Sequence, residues 1–201
     1  MEKDKEKKAK LGRTGIHIFA GIIILLLVVY YPETHWLLFY LLIISVILSF
    51  LSYFYKIPGI NWLLDNFELE KHRKTFPGKS FIFFIAGSLL VIKLFPQNIA
   101  LASIAILTFA DPVSHFASKL GKIRYKKPFN ENKTILSTIL AIITAFIAAS
   151  FFVPFKYAIL AAIISMLSEA LIIKIWEDYV DDNYLIPLAA GTAMFLAQKV
   201  F

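Results

Sequence analysis

Seven long stretches of nearly uninterrupted apolar residues restrict what this chain can fold into more than any other feature. They run over about 16–31, 35–55, 78–94, 98–110, 134–153, 157–175 and 184–199. About 20 helical residues, each rising 1.5 Å, cross a hydrocarbon core of ~30 Å. A soluble helix or strand keeps a polar face, and these runs do not. The excess is also global, since 59% of the 201 residues are hydrophobic, against about 45–50% in ordinary soluble proteins. A membrane barrel calls for short segments of alternating polarity divided by turn signals, and neither occurs. The sequence therefore predicts an all-α, polytopic integral membrane protein of about seven transmembrane helices. Pro32, Pro96 and Pro154 punctuate the turns on one side.

Residues 1–15 read as a basic cytosolic N-terminal tail, and 16–201 as a single transmembrane helical catalytic domain. The charged start followed by an apolar run imitates a signal peptide. No small-residue cleavage site follows, and further spans do, so the run reads as a retained first helix. With seven spans and the N-terminus inside, the inner segments hold 18 of the 21 Lys and Arg residues. Such a bias marks the cytosolic side. It also accounts for the net charge of +7 without a nucleic-acid partner. The inner loops are long and charged while the outer ones are short, which places the chemistry, the N-terminus and the site-bearing loops on the cytosolic face of a multi-pass protein. The absence of cysteine excludes a disulfide framework, a thiolate metal site and a thiol nucleophile. No GxSxG, HExxH or Walker A pattern is present.

Three polar groups stand out. Asp111 ends the fourth apolar run with no flanking charge. At that depth a carboxylate needs a partner or a metal. It also suits the N-cap of a following helix, with Pro112 at the first helical position. Gly121, Lys122, Arg124, Lys126, Lys127 and Lys133 precede Thr134, which opens a span. Point charges, a guanidinium fork and a helix N-terminus together suit a polyphosphate. An ordinary positive-inside loop against anionic lipid is the plainer reading. Glu169 lies inside an apolar run, and Glu177, Asp178, Asp181, Asp182 and Asn183 follow it. An acidic run in an inner loop makes sense if it holds Mg²⁺ on substrate phosphates, and otherwise as a solvated partner of the basic loop. Arg13 and His17 sit one turn apart on the first helix, where a lone His more often serves as an interfacial hydrogen-bonding residue. In the 56–79 loop, Trp62, Leu63, Leu64 and Phe67 suit a short amphipathic piece on the membrane surface.

Together these pieces resemble the CTP-dependent lipid kinase family, which includes dolichol kinase, a fungal diacylglycerol kinase and the plant phytol kinases, and which is related to the phosphatidate cytidylyltransferases. Arg13-Thr14-Gly15-Ile16-His17 resembles the family's Arg-Lys-x-x-His at the first span. The stretch from Arg73 to Gly87 resembles its basic segment leading into a span with an internal glycine. Asp111 to Lys122, with Lys133-Thr134, resembles Gly-Asp-x-x-Ala…Gly…Gly-Lys…Lys-Ser. Glu169-Ala170-Leu171 and Asp182-Asn183-Tyr184-Leu185-Ile186-Pro187 resemble the closing Glu-Ala-Leu and Asp-Asn-x-x-x-Pro. Ala110, Ser114, Ser118 and Ser137 stand where the family carries Gly or Ala.

The resemblance implies phosphoryl transfer from CTP, or another nucleoside triphosphate, to the hydroxyl of a membrane lipid alcohol such as a polyprenol, dolichol or diacylglycerol. Asp111, Asp182 and Asn183 are then expected to hold Mg²⁺. Lys122, Arg124, Lys126, Lys133, Thr134, Arg73 and Gly121 are expected to bind the nucleotide phosphates. Glu169 is expected to orient or deprotonate the lipid hydroxyl, with His17 in reserve. Two alternatives stand beside it: a cytidylyltransferase making CDP-lipid, and a non-enzymatic transporter or scaffold.

Overall fold

The computed structural model describes residues 2–55, 57–59, 62, 64, 76–126, 129–171, 174–175 and 178–200. Among them are seven helices: α1 (Glu2–Tyr30), α2 (Thr34–Phe54), α3 (Lys79–Leu94), α4 (Gln97–Ala117), α5 (Ile135–Ser150), α6 (Phe155–Ala170) and α7 (Asp182–Val200). One short antiparallel hairpin, β1 (Lys174–Ile175) and β2 (Asp178–Tyr179), pairs Lys174 with Tyr179 and Ile175 with Asp178. Each helix falls on one of the seven apolar runs. Three segments, Gly12–Tyr30, Thr34–Phe54 and Gln97–Ala117, are long and apolar enough to cross a membrane.

The breaks follow backbone chemistry. Tyr55 leaves α2 extended, and Phe95, which precedes Pro96, leaves α3 the same way, as a residue before proline prefers. Gly78 enters α3 with φ of 76°, a left-handed conformation that glycine adopts without steric cost. Thr34 Oγ1 donates to the Leu27 carbonyl at 2.6 Å and so closes the α1–α2 turn. Gln97 donates to the Val28 carbonyl at 2.8 Å, tying the start of α4 to the end of α1.

At the centre is α4, packed against α1, α5 and α7, while α6 packs on α5 and on α7, and α2 packs on α3. Four-fifths of its apolar window is buried (78%), against 17% for α1 and 11% for α2. Close helix approach comes from small residues: Ala141, Ala145 and Ala149 on α5, Ala158, Ala161 and Ala162 on α6, and Ala190 on α7 are fully buried. Such stripes let helix backbones approach each other where no aqueous driving force operates. The converse holds on α2, where Phe39, Ile43, Ile47, Phe50 and Phe54 are exposed. A continuous apolar face of that kind needs lipid or a partner to cover it.

Three boundaries differ from the sequence expectation. Helix α1 begins at Glu2, so the stretch read as an N-terminal tail is already helical. Asp111 does not cap a new helix; α4 runs through Pro112 to Ala117. Pro112 brings no N–H to the Thr108 carbonyl one turn back, which ordinarily breaks a helix. Here Ala110, Asp111, Pro112 and Ser114 are buried, and packing around the central helix offsets that loss. The sixth apolar run stops being helical at Ala170 rather than near Ile175. Leu171 is extended and bridges Phe129, and Asn130 N–H donates to the Ala170 carbonyl at 2.9 Å. Those long-range bonds satisfy the backbone that another helical turn would have satisfied. Trp62 of the expected surface piece is exposed, and Leu63 and Phe67 lie outside the described residues.

Gly87 of α3 abuts the Asn183 carbonyl at the start of α7, with no room for a Cβ between them. Gly87→Ala is therefore expected to lower stability by about 1–3 kcal/mol, the usual cost of overpacking. Thermal unfolding in detergent measures it, and an unchanged midpoint would mean that the α3–α7 contact is looser than described.

Candidate functional site

Residues from five separate parts of the sequence meet at one end of the bundle. On α4, Asp111 and His115 are one helical turn apart and so share a face. His115 Nε2 is 3.8 Å from Asp111 Oδ1. Asp182, the first residue of α7, joins them: each of the three offers a ligand atom within 4.8 Å of the others. From α1, His17 places Nε2 3.9 Å from Asp111 Oδ2. That same nitrogen donates to the Leu107 carbonyl at 3.1 Å, so in the neutral ring Nδ1 is the acceptor. The ring stands edge-on to Phe84 with centroids 4.5 Å apart. Arg13, one turn before His17, adds positive potential at Asp111.

Beside this group lies a buried ion pair. Lys133 is 4% exposed and Glu169 2%. The Lys133 ammonium donates to Glu169 Oε1, and to Ser114 Oγ at 3.1 Å. Removing two charges from water costs several kcal/mol per ion, so such a pair persists only when its geometry is good and its remaining valences are met. Ser114, on the face of α4 adjoining Asp111, meets one of them. Burial pulls the Lys133 pKa down, but the carboxylates of Glu169, Asp111 and Asp182 outweigh it and hold the group above its ordinary value. At neutral pH Lys133 is charged.

The 118–134 loop is built to deliver that lysine. Arg124 bridges Thr134, Tyr125 N–H donates to the Lys133 carbonyl at 3.2 Å, and Ile135 N–H donates to the Ile123 carbonyl at 3.2 Å. Thr134 and Ser137 then form a reciprocal cap on α5: Ser137 N–H donates to Thr134 Oγ1 at 3.1 Å, and Thr134 N–H donates to Ser137 Oγ at 3.0 Å. Gly121 lies against the Thr134 side chain, where a Cβ would collide.

The expected phosphate-binding residues thus divide. Lys122, Arg124 and Lys126 are exposed on the loop, where a ligand from solution can reach them, although Arg124 also donates to the Glu131 carbonyl at 3.4 Å. Thr134 is fully buried. Its hydroxyl and the Thr134 and Ser137 amides are taken by the cap, and the Ile135 amide by Ile123, so it locks the loop. Gly121 serves close packing against it. Lys133 faces Glu169 and not the surface. Arg73 and Glu177 lie outside the described residues. Asn183 donates its side-chain amide to Asp181 at 2.8 Å, which leaves its Oδ1 buried without a donor among the described residues.

Three residues at the site receive no role from the sequence, although each lies in a stretch it singles out: His115, Ser114 and Arg13. The spacing of Asp111 and His115 carried the signal for the first. It was hidden by reading Asp111 as the start of a helix when it lies inside one.

The donor set suits a hard divalent cation. Asp111 Oδ1 and Asn183 Oδ1 are both buried and lack donors among the described residues, and Asp182 adds a second carboxylate. Oxygen ligands of this kind fit Mg²⁺, and the His115 nitrogen also admits Mn²⁺. Compared with protein-family models, curated proteins and solved structures, the chain matches none of them.

The ion pair generates a prediction. Glu169→Ala strands a buried ammonium and is expected to cost about 3–5 kcal/mol, whereas Lys133→Met combined with Glu169→Leu is expected to restore most of that loss. Detergent unfolding of the single and double variants reads both. A double variant no more stable than the single would show that the pair does not act as a unit.

Proposed function

We propose that the chain is a multi-pass membrane kinase, its N-terminus and site-bearing loops cytosolic, that moves the terminal phosphoryl group of a nucleoside triphosphate onto the hydroxyl of a membrane lipid alcohol. The observation that carries this reading is the meeting of Asp111, Asp182 and Lys133, from loops and helices far apart in sequence, at one end of an apolar bundle. The resemblance to CTP-dependent lipid kinases favours CTP as donor. A transporter calls for polar groups near mid-bilayer on several or broken helices; the polar groups here gather at one end.

In this reading Asp111, Asp182 and His115 would hold Mg²⁺, with the buried Oδ1 of Asn183, next in sequence to Asp182, as a candidate further donor. The bound cation would neutralise charge on the phosphate oxygens. Lys122, Arg124 and Lys126 meet the rest of the triphosphate from the exposed loop. The lipid oxygen attacks the terminal phosphorus, the bond from that phosphorus to its bridging oxygen breaks, and the nucleoside diphosphate leaves. The hydroxyl proton passes to His17 Nδ1, and the imidazolium faces Asp111. Glu169 is buried and already engaged by the Lys133 ammonium. It acts instead as a positioning residue, holding the 118–134 loop to the end of α6. Transfer of this type rests chiefly on positioning and electrostatic stabilisation.

Two predictions test the proposal. Asp111→Asn is expected to reduce phosphoryl transfer from labelled CTP to a mixture of lipid alcohols by about 100-fold or more. Unchanged transfer would remove Asp111 from the metal role, release of pyrophosphate in place of CDP would favour a cytidylyltransferase, and no thermal shift with CTP and Mg²⁺ would favour a non-enzyme. For topology, the cysteine-free chain admits single reporters. Lys122→Cys should react with an impermeant maleimide only from the cytosolic side, and Lys156→Cys only from the other. Labelling of both from one side would refute seven spans.

A further inference from the structure

We propose that the cavity between α1, α2 and α3 is the slot for the hydrocarbon of a single-chain lipid alcohol, with His17 as the wall shared by the slot and the acidic site. The inference rests on the kinase reading and specifies where, and in what form, its acceptor binds.

The cavity exists because α1 rests on α4 while α2 rests on α3, leaving about 310 Å³ between them. Ile16, Leu48, Phe81 and Phe84 form apolar wall. The serines contributed by α2 do not make it polar. Ser45 donates to the Leu41 carbonyl at 2.7 Å, Ser49 to the Pro77 carbonyl at 2.5 Å, and Ser52 to the Ser49 carbonyl at 2.8 Å. Their protons are committed to backbone, so what they leave suits hydrocarbon. Polar character is restored where α1 contributes Arg13 and His17. Glu169 does not line the cavity.

His17 joins the two compartments. It lines the cavity beside Phe84, and its Nε2 edge reaches Asp111. A lipid lying in the slot therefore brings its polar end to the histidine next to the acidic group.

Charge and volume select the occupant. Arg13 would attract an anion at the cavity wall, but past His17 an anionic head group would confront the Asp111 carboxylate, whereas a neutral hydroxyl meets no such repulsion and can donate to Nδ1. Ligand pockets span about 300–1,000 Å³, and this one lies at the small end. It suits one chain entering beside the hydroxyl and not two acyl chains abreast. The acceptor class is thus a long-chain, single-tailed alcohol of prenyl type, in preference to diacylglycerol.

The test uses the full chain in nanodiscs with a photoactivatable long-chain prenyl alcohol carrying a diazirine within its tail. Cross-links are mapped to peptides by mass spectrometry. Labelling is expected on the Ser45–Ser52 stretch of α2 and the Phe81–Phe84 stretch of α3. Leu48→Trp is expected to cut that labelling by about tenfold, while CTP-Mg²⁺ still shifts thermal unfolding. Should Leu48→Trp fail to fold, Leu48→Phe is expected to give a smaller fall in the same direction. Unlabelled prenyl alcohol should compete better than diacylglycerol. Labelling confined to α5 and α6, labelling untouched by both Leu48 variants, or equal competition by diacylglycerol would overturn the proposal. Labelling requires no turnover, so the two readings fail separately. Cross-links in the slot with no transfer from any nucleotide would keep the slot and remove the kinase. Transfer with cross-links elsewhere would do the reverse.

Discussion

The pairing of Lys133 with Glu169 is the contact on which the polar end of this molecule depends. Both groups are almost wholly withdrawn from water, so neither is tolerable without the other. Bringing them together forces the 118–134 loop against the end of α6. From that follow the Phe129–Leu171 bridge, the termination of α6 at Ala170 and the turn into the hairpin. Because Ser114 shares the ammonium, α4 is drawn into the same arrangement, and with it the face that carries Asp111 and His115. The pair acts as a clasp that sets the register of three elements around the acidic group.

Around that clasp the molecule divides into a tight half and a loose half. The small-residue contacts among α4, α5, α6 and α7 leave little free space, so the positions of Asp111, Glu169 and Asp182 are rigidly related. In contrast, α1 and α2 present most of their apolar surface outward. A tight half suits groups that must hold fixed separations. A loose half suits the admission of a hydrophobic molecule, and His17 stands where the two meet.

Among the described residues, the helices and their order were legible because an apolar run of sufficient length has few alternatives. Asp111, Glu169 and Asp182 were also legible, since an ionisable group beside or within an apolar run always calls for a reason. What escaped the sequence was decided by tertiary packing. Pro112 reads locally as a first-turn proline, and only the burial of α4 on its neighbours lets the helix pass through it. Leu171 reads locally as more span, and only its bridge to Phe129 and the bond from Asn130 to Ala170, in a loop some 40 residues earlier, turn it out of the helix. The partner of Lys133 lies 36 residues away and no spacing rule connects them. The departures at Ser114 and Ser137 look like blemishes in a glycine-rich pattern, yet both hydroxyls are used, one by Lys133 and one by the α5 cap.

The unequal helix lengths have a consequence for the surrounding bilayer. At 1.5 Å per residue, the 16 residues of α5 and of α6 reach about 24 Å, short of a ~30 Å hydrocarbon core. The 21 residues of α2 cover it. In a chain that spans the membrane, such hydrophobic mismatch is relieved by lipids compressing beside the shorter helices. The sheet of head groups would then dip on the α5–α6 side and ride higher around α2. The protein would sit in a tilted lipid collar, with water standing closer to the buried charges on one flank and acyl chains rising toward His17 on the other.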